Sequence, residues 1–197
     1  MHAMAATPAG GAMRRLHAAD RPAFAEHLLR LDPASRHMRF EGGVSDTRIR
    51  EYAREAFSRP GLRLGYFDRG TLRAAAELIP EVRLSSPWEA DAEAAFSVEE
   101  PFQAGGVGTA LADRIVRYAR ISGVGRILLN CLPGNVRMQR IASRHGGRVA
   151  NLGGDCVGVI ELSAANGGTW LRAGLGEGFD LLDQAFDVSR CFSSPER

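Results

Sequence analysis

The residues most open to a chemical reading are Gln103, Ala104, Gly105, Gly106, Val107, Gly108 and Thr109, set between an alternating stretch and a helical one. Glycines at such a junction let the backbone approach a ligand closely and turn successive N–H groups outward. The following helix adds partial positive charge at its N-terminus, so a phosphate or pyrophosphate is the natural guest. The same glycines also suit a tight strand-to-helix turn with no ligand. Two phosphate motifs are excluded: the chain has no Lys and so no GxxxxGKS/T loop, and counted from Gly106 the third glycine of GxGxxG falls on Leu111. The three cysteines, Cys131, Cys156 and Cys191, form no CxxC, and the five His form neither HExxH nor His-x3-His. Neither a disulfide framework nor a protein-built metal site is expected. Cys131 would need a nearby His to act as a nucleophile; a buried structural thiol is the competing account.

The elements that must hold this loop follow from periodicity. Residues 13–17 suit a short strand. Asp20 reads as an N-cap with Pro22 in the first turn, followed at helical spacing by Phe24, Leu28 and Leu31. Ser45 or Asp46 caps a second helix carrying Ile49, Tyr52, Ala53, Ala56 and Phe57, stopped by Pro60 and Gly61. Residues 62–67 and 72–79, joined through Asp68, Arg69 and Gly70, read as a hairpin, and 80–89 as a loop. In 92–99, Ala92, Ala94, Phe96 and Val98 share one face, and Glu93, Ala95 and Ser97 the other. Val107, Leu111, Ile115 and Tyr118 then make one helical stripe to about residue 121. Residues 126–132 form a buried-type strand, and Asn135 caps a helix with Met138, Ile141 and Ala142 inward. Residues 148–150 and 156–162 supply two last strands. The order β-α-α-β-β-β-α-β-α-β-β predicts a mixed α/β (α+β) sheet rather than a doubly wound one.

A chain of 197 residues is one ordinary domain with at most an appendage, and 45% apolar with 24% charged residues is globular. Residues 1–12 read as a disordered leader, 13–162 as the domain, and 163–197 as a C-terminal extension. In that extension Leu171, Leu175, Phe179, Leu182 and Phe186 could line a helix packed on the domain or across a homodimer. A net charge of +2 offers no uniform field for nucleic acid, and all 25 basic residues are Arg, as codon bias in a high-GC genome would give. No run reaches the roughly 18 apolar residues of a membrane span. The opening residues lack a secretory pattern, so no membrane association and a cytoplasmic location are expected.

What survives at the loop is Gln-x-x-Gly-x-Gly, as Gln103, Gly106 and Gly108, and here the sequence resembles the GNAT superfamily of acyl-CoA-dependent N-acyltransferases. Asn135-Val136-Arg137-Met138 resembles that family's Asn-x-x-Met helix start. His145-Gly146-Gly147 resembles the close of the same helix, with Gly147 where an aromatic is usual. Arg36-His37-Met38-Arg39-Phe40 with Ser45-Asp46 is similar to a bacterial subgroup resembling protein-lysine acetyltransferases. The resemblance covers about 13–162. It implies a mostly antiparallel twisted sheet of about seven strands with about four helices.

It further implies acetyl-CoA as cosubstrate, no metal, and transfer of the acetyl group to a primary amine by direct attack. The acceptor would be a protein lysine or a small molecule. Backbone amides from Gln103 through Ala104, Gly105, Gly106, Val107 and Gly108 to Thr109 would hold the pyrophosphate. Val98 would pair its backbone with the pantetheine arm and Asn135 would contact it, while Arg140 and Arg144 could reach the ribose phosphate. Solvated helix-face charge is the plainer account of each arginine.

An amine must be deprotonated before attack, and a carboxylate, directly or through water, is the usual base. Glu93, between Ala92 and Ala94 with Ala95 and Ser97 on its face, is the leading candidate, and Glu77 in the hairpin the second. Either could instead be a structural carboxylate paired with Arg. The family's usual Tyr, acid for the leaving thiolate, is absent from residues 139–145, where Ser143 lies near its place. A non-catalytic acyl-CoA-binding sensor or interaction module of the same fold is the alternative function. The cluster Arg36, Arg39, Arg48, Arg50 and Arg54 would suit an acidic substrate or a solvated helix face.

Overall fold

Leu62–Asp68 (β2) and Thr71–Glu81 (β3) set the frame of the sheet, pairing antiparallel from Leu62 opposite Leu78 to Asp68 opposite Thr71. Between them Arg69 (φ 48°) and Gly70 (φ 78°) both take the left-handed backbone that lets a tight turn follow the twist of the strands. The structure, a computed structural model, describes residues 10–81, 90–152 and 155–162. The expected leader up to residue 9, most of the expected 80–89 loop and the tail helix over Leu171 to Phe186 lie outside the described residues.

Gly11–Arg15 (β1) borders β2, and Ala90–Val98 (β4) borders β3. Val124–Cys131 (β5), Arg148–Leu152 (β6) and Asp155–Glu161 (β7) complete a seven-stranded sheet in the order β1-β2-β3-β4-β5-β7-β6. Every neighbouring pair is antiparallel except β4 and β5, which run parallel. This is the mixed α/β sheet read from the sequence. The first strand takes in Gly11 and Ala12, two residues read as leader, because their backbones pair with Asp68 and Phe67.

The helices are Arg21–Arg30 (α1), Pro33–Phe40 (α2), Asp46–Ala56 (α3), Val107–Ile121 (α4) and Val136–Arg144 (α5). The described residues therefore hold five α-helices where about four were expected. The extra one is α2, which buries no residue fully and so carries no apolar stripe to reveal it. Its start is nevertheless written locally: Asp32 accepts from the Ser35 N–H, and Pro33 occupies the first turn, where its missing N–H costs nothing.

The helices sort onto two sheet faces. Leu111 and Ile115 of α4 and Met138 and Ala142 of α5 pack on Leu64, Ala76, Ala94, Ile127 and Ile160. Phe24 and Leu28 of α1 and Ile49 and Ala53 of α3 pack on Leu72 and Ala75 across the sheet. Each fully buried Leu or Ile stabilises the fold by about 1.5–3 kcal/mol before entropy is charged against it. The alternation of β4 thus divides its side chains. Ala92, Ala94, Phe96 and Val98 go with α4 and α5, while Ser97 hydrogen-bonds to α1 on the opposite face, which by alternation also takes Glu93 and Ala95. Among the described residues no helix is long and apolar enough to cross a membrane.

Candidate functional site

The parallel pairing of β4 with β5 runs from Ala90 opposite Val124 to Glu93 opposite Leu128 and then stops. Beyond that point β4 stays bonded to β3, and β5 to β7, so the two strands part inside the sheet. A cavity of about 960 Å³ occupies the parting, at the upper end of the usual size for a small-molecule site. Ala95, Phe96, Ser97 and Val98 of β4 form one wall and Asn130 of β5 belongs to the other. Leu31, Asp32, Ser35, Met38 and Arg39 roof it from the α1–α2 side.

One end of the cavity is the N-terminus of α4. Gly106 is the N-cap, with φ 77°, a left-handed backbone that favours glycine and turns the chain from the loop into the helix. The first N–H groups of a helix have no carbonyl one turn back, so those of Val107, Gly108 and Thr109 are left for another acceptor. No acidic residue sits in that first turn. Gln103, Ala104, Gly106, Gly108 and Thr109 line the cavity, whereas Gly105 does not and the Val107 side chain is core. The Gln103 amide donates to the Val98 carbonyl at 2.9 Å and to the Ser35 hydroxyl at 2.8 Å. It fixes the loop to the end of β4 and to α2.

The cavity is also bordered by α5. Asn135 lines the cavity and caps this helix, its Oδ1 accepting from the Met138 N–H at 3.1 Å. Arg137, Arg140 and Arg144 also line it. Arg144 lies 3.6 Å from Asp113, while Arg137 and Arg140 make no ion pair among the described residues. A helix N-terminus and exposed arginines lining one cavity beside an open strand edge can hold a long, phosphate-bearing ligand with a slender arm between the strands.

The two carboxylates singled out from sequence do not line this cavity. Glu93 is half-buried at the last position where β4 pairs with β5, on the face shared with Ala95 and Ser97. Glu77 is 1% exposed and fully engaged. Its Oε2 accepts from Arg39 and from the Tyr52 hydroxyl, each at 2.6 Å, and its Oε1 from Arg63 at 3.3 Å. Burial, with the Glu77 charge beside it, pushes Tyr52 up to about 12 against the opposing pull of Arg39, so the hydroxyl stays a donor. Ser143 is exposed on α5. Burial, then the neighbouring Cys156, pushes the Cys131 thiol up to about 12, which fits a buried structural thiol and not a nucleophile.

A second polar group went unread in the sequence. Ser97 Oγ lies 2.8 Å from His27 Nε2, and His27 Nδ1 lies 3.1 Å from Glu99 Oε1. Arg30 and Arg73 donate to Glu99 at 3.0 and 2.9 Å. Ser97 lines the cavity; His27 is fully buried behind it. The one local hint was His27 on the buried stripe of α1, beside Phe24 and Leu28. Among the described residues no cluster of His, Cys, Asp or Glu could hold a metal ion.

Known proteins share this fold. Residues 12–148 match the family described as acetyltransferase (GNAT) domain. No curated protein matches the sequence. The GNAT domain of PAT from S. lividans superposes with a TM-score of 0.62 at 20% identity, covering 76% of this chain and 89% of that one. The yncA protein of Salmonella typhimurium, solved with its cofactor acetyl-CoA, gives 0.61 at 16% identity, covering 79% and 96%. RimL, a ribosomal L7/L12 α-N-protein acetyltransferase in complex with coenzyme A, gives 0.58 at 14% identity, covering 81% and 98%. These identities speak for the fold.

Proposed function

The chain belongs to the GNAT acetyltransferase family, and we propose that it moves an acetyl group from acetyl-CoA to a primary amine, on a protein lysine or a small molecule, by direct attack. The observation that carries this reading is the parting of β4 from β5 after Glu93 and Leu128, onto a cavity that ends at the N-terminus of α4. Acetyl-CoA in the yncA structure and coenzyme A in the RimL structure support the choice of cosubstrate.

In this reading the amides of Val107, Gly108 and Thr109, with the loop from Gln103, hold the pyrophosphate. Arg137 and Arg140 meet the remaining phosphate; Arg144, already shared with Asp113, contributes less. The open backbone edge of β4 by Val98 and the Asn135 corner take the pantetheine arm. The amine enters under α2, over the face that carries Ala95 and Ser97. An alkyl amine with a pKa near 10.4 is almost wholly protonated at neutral pH and must lose a proton first. Glu93 takes it through ordered water, since its side chain stands on that face but outside the cavity wall. Glu77, bonded to two arginines and a tyrosine, acts as an anchor for α2 and not as a base.

Isothermal titration with acetyl-CoA, followed by thiol release with a panel of primary amines, tests the proposal. Binding with amine-dependent thiol release supports it. Binding with no release for any amine would favour the acyl-CoA-binding module instead, and no binding would remove both.

A further inference from the structure

We propose that Ser97, backed by His27 and Glu99, is a proton relay that takes the second proton from the acceptor nitrogen and delivers it to the CoA sulfur. This rests on the acetyl-transfer reading above. The need for it is chemical. An ammonium acceptor loses one proton before attack, and after attack its nitrogen still carries one that must leave while the thiolate gains one. The family's usual acid is a Tyr that residues 139–145 lack, and Glu93 does not line the cavity. Four residues along one face of a strand separate Glu93 from Ser97, or ~13 Å between their backbones, so the two cannot share one nitrogen directly.

The geometry supplies the relay. Glu99, bonded by Arg30 and Arg73, can only accept, so the neutral imidazole must place its proton on Nδ1, 3.1 Å away. That leaves the Nε2 lone pair facing the Ser97 hydroxyl at 2.8 Å. Relay, base and orienting carboxylate are thus in hydrogen-bond sequence, and of the three residues only Ser97 lines the cavity. Burial lowers the His27 pKa, opposed by Glu99 and assisted by the charges of Arg30 and Arg39. Arg73, across Glu99, completes the charged groups around the ring. An imidazolium formed there gives its proton up readily.

The steps balance. The amine nitrogen bonds to the thioester carbon, and the carbonyl π pair moves to oxygen. As that pair returns, the C–S bond breaks and sulfur leaves with its electrons. The nitrogen passes its proton to Ser97 Oγ while the Ser97 proton moves to His27 Nε2. The imidazolium then returns a proton through Ser97 to the thiolate, leaving amide, free CoA thiol and the starting residues.

The test uses the full chain with acetyl-CoA and spermidine, or a lysine-containing peptide, as acceptor. Ser97→Ala should lower kcat by about 10²-fold with unchanged acetyl-CoA affinity, while Ser97→Thr, which keeps the hydroxyl, should retain most of it. Nitrogen-15 NMR of His27 should show a neutral ring protonated on Nδ1. Full kcat in Ser97→Ala, or a proton on Nε2, overturns the relay alone. A wild-type protein that binds acetyl-CoA but acetylates neither of these nor any amine of the panel overturns the transferase reading, and the relay falls with it. Because His27→Gln could misfold at so buried a position, the serine pair and the tautomer decide the matter.

Discussion

The Arg39 guanidinium on α2 donates to the Glu77 carboxylate of β3 at 2.6 Å, so the helix that roofs the cavity is tied by charge to the centre of the sheet. The pair is nearly dry, with 11% and 2% side-chain exposure, and Arg63 shares the same carboxylate. Removing one partner of a buried pair leaves the other charge unsatisfied, at about 3–5 kcal/mol. Glu77→Ala should therefore lose about that much in urea denaturation, and Glu77→Gln should also lower the midpoint. A Glu77→Gln protein of wild-type stability would mean that this carboxylate does not hold α2.

The α4 terminus makes a separable prediction. A Cβ added at Gly108 would meet Val98 Cγ2 at 3.5 Å, an ordinary contact, so the free protein has room for it. Alanine is also favoured over glycine inside a helix by about 1 kcal/mol. Gly108→Ala should thus leave the melting temperature equal or higher, while the methyl group, on a position that lines the cavity, weakens acetyl-CoA binding. Calorimetric titration beside thermal melting measures both. Unchanged affinity would remove Gly108 from the pyrophosphate site.

These two sites differ in how far they could be read from sequence, for a physical reason. The Gln103–Thr109 loop, the Asn135 cap and the hairpin turn at Arg69 and Gly70 are local, and local backbone chemistry fixes which residue types they use. The α2 helix was missed because it buries no side chain fully, although Asp32 and Pro33 announced its start. The polar networks are not local at all. Glu77 meets Arg39 across 38 positions and Glu99 meets His27 across 72, and only the strand register and the seating of α1 and α2 bring them together. Alternation placed Glu93 and Ser97 on one face but carried no sign that the cavity begins beyond Glu93.

Acid should weaken an ion pair at the edge of the sheet. Hydrogen bonds from Arg14, at 2.8 and 2.6 Å, hold the Asp20 carboxyl down to about 2, well below its ordinary value near 3.8. A carboxylate with a depressed folded pKa stabilises the fold fully above its unfolded pKa, and that contribution is lost as pH falls through the folded one. The window is therefore roughly pH 5 down to 2. With Arg14 half exposed, the contribution is at most about 1 kcal/mol. Asp20→Asn should be slightly less stable than wild type at pH 7 and equal to it near pH 2. A constant difference across the range would show that this ion pair is not what sets the gap.

The base is the sharpest test of mechanism, because Glu93 and Ser97 are assigned different protons. Glu93 stands on the face shared with Ala95 and Ser97, at the last position where β4 and β5 pair, and does not line the cavity. In the proposed reaction its part is to draw the first proton from the ammonium through water, before attack. General-base help of this kind is worth about 10²–10⁴ in rate. Glu93→Gln keeps the shape but cannot take a proton, so kcat should fall at least about tenfold with acetyl-CoA affinity unchanged. Ser97→Ala acts after attack, and its loss should be largely restored by Ser97→Thr, which keeps the hydroxyl. If the Glu93→Gln enzyme keeps its full rate, Glu93 is a structural carboxylate, and the first proton leaves along the cavity water without it.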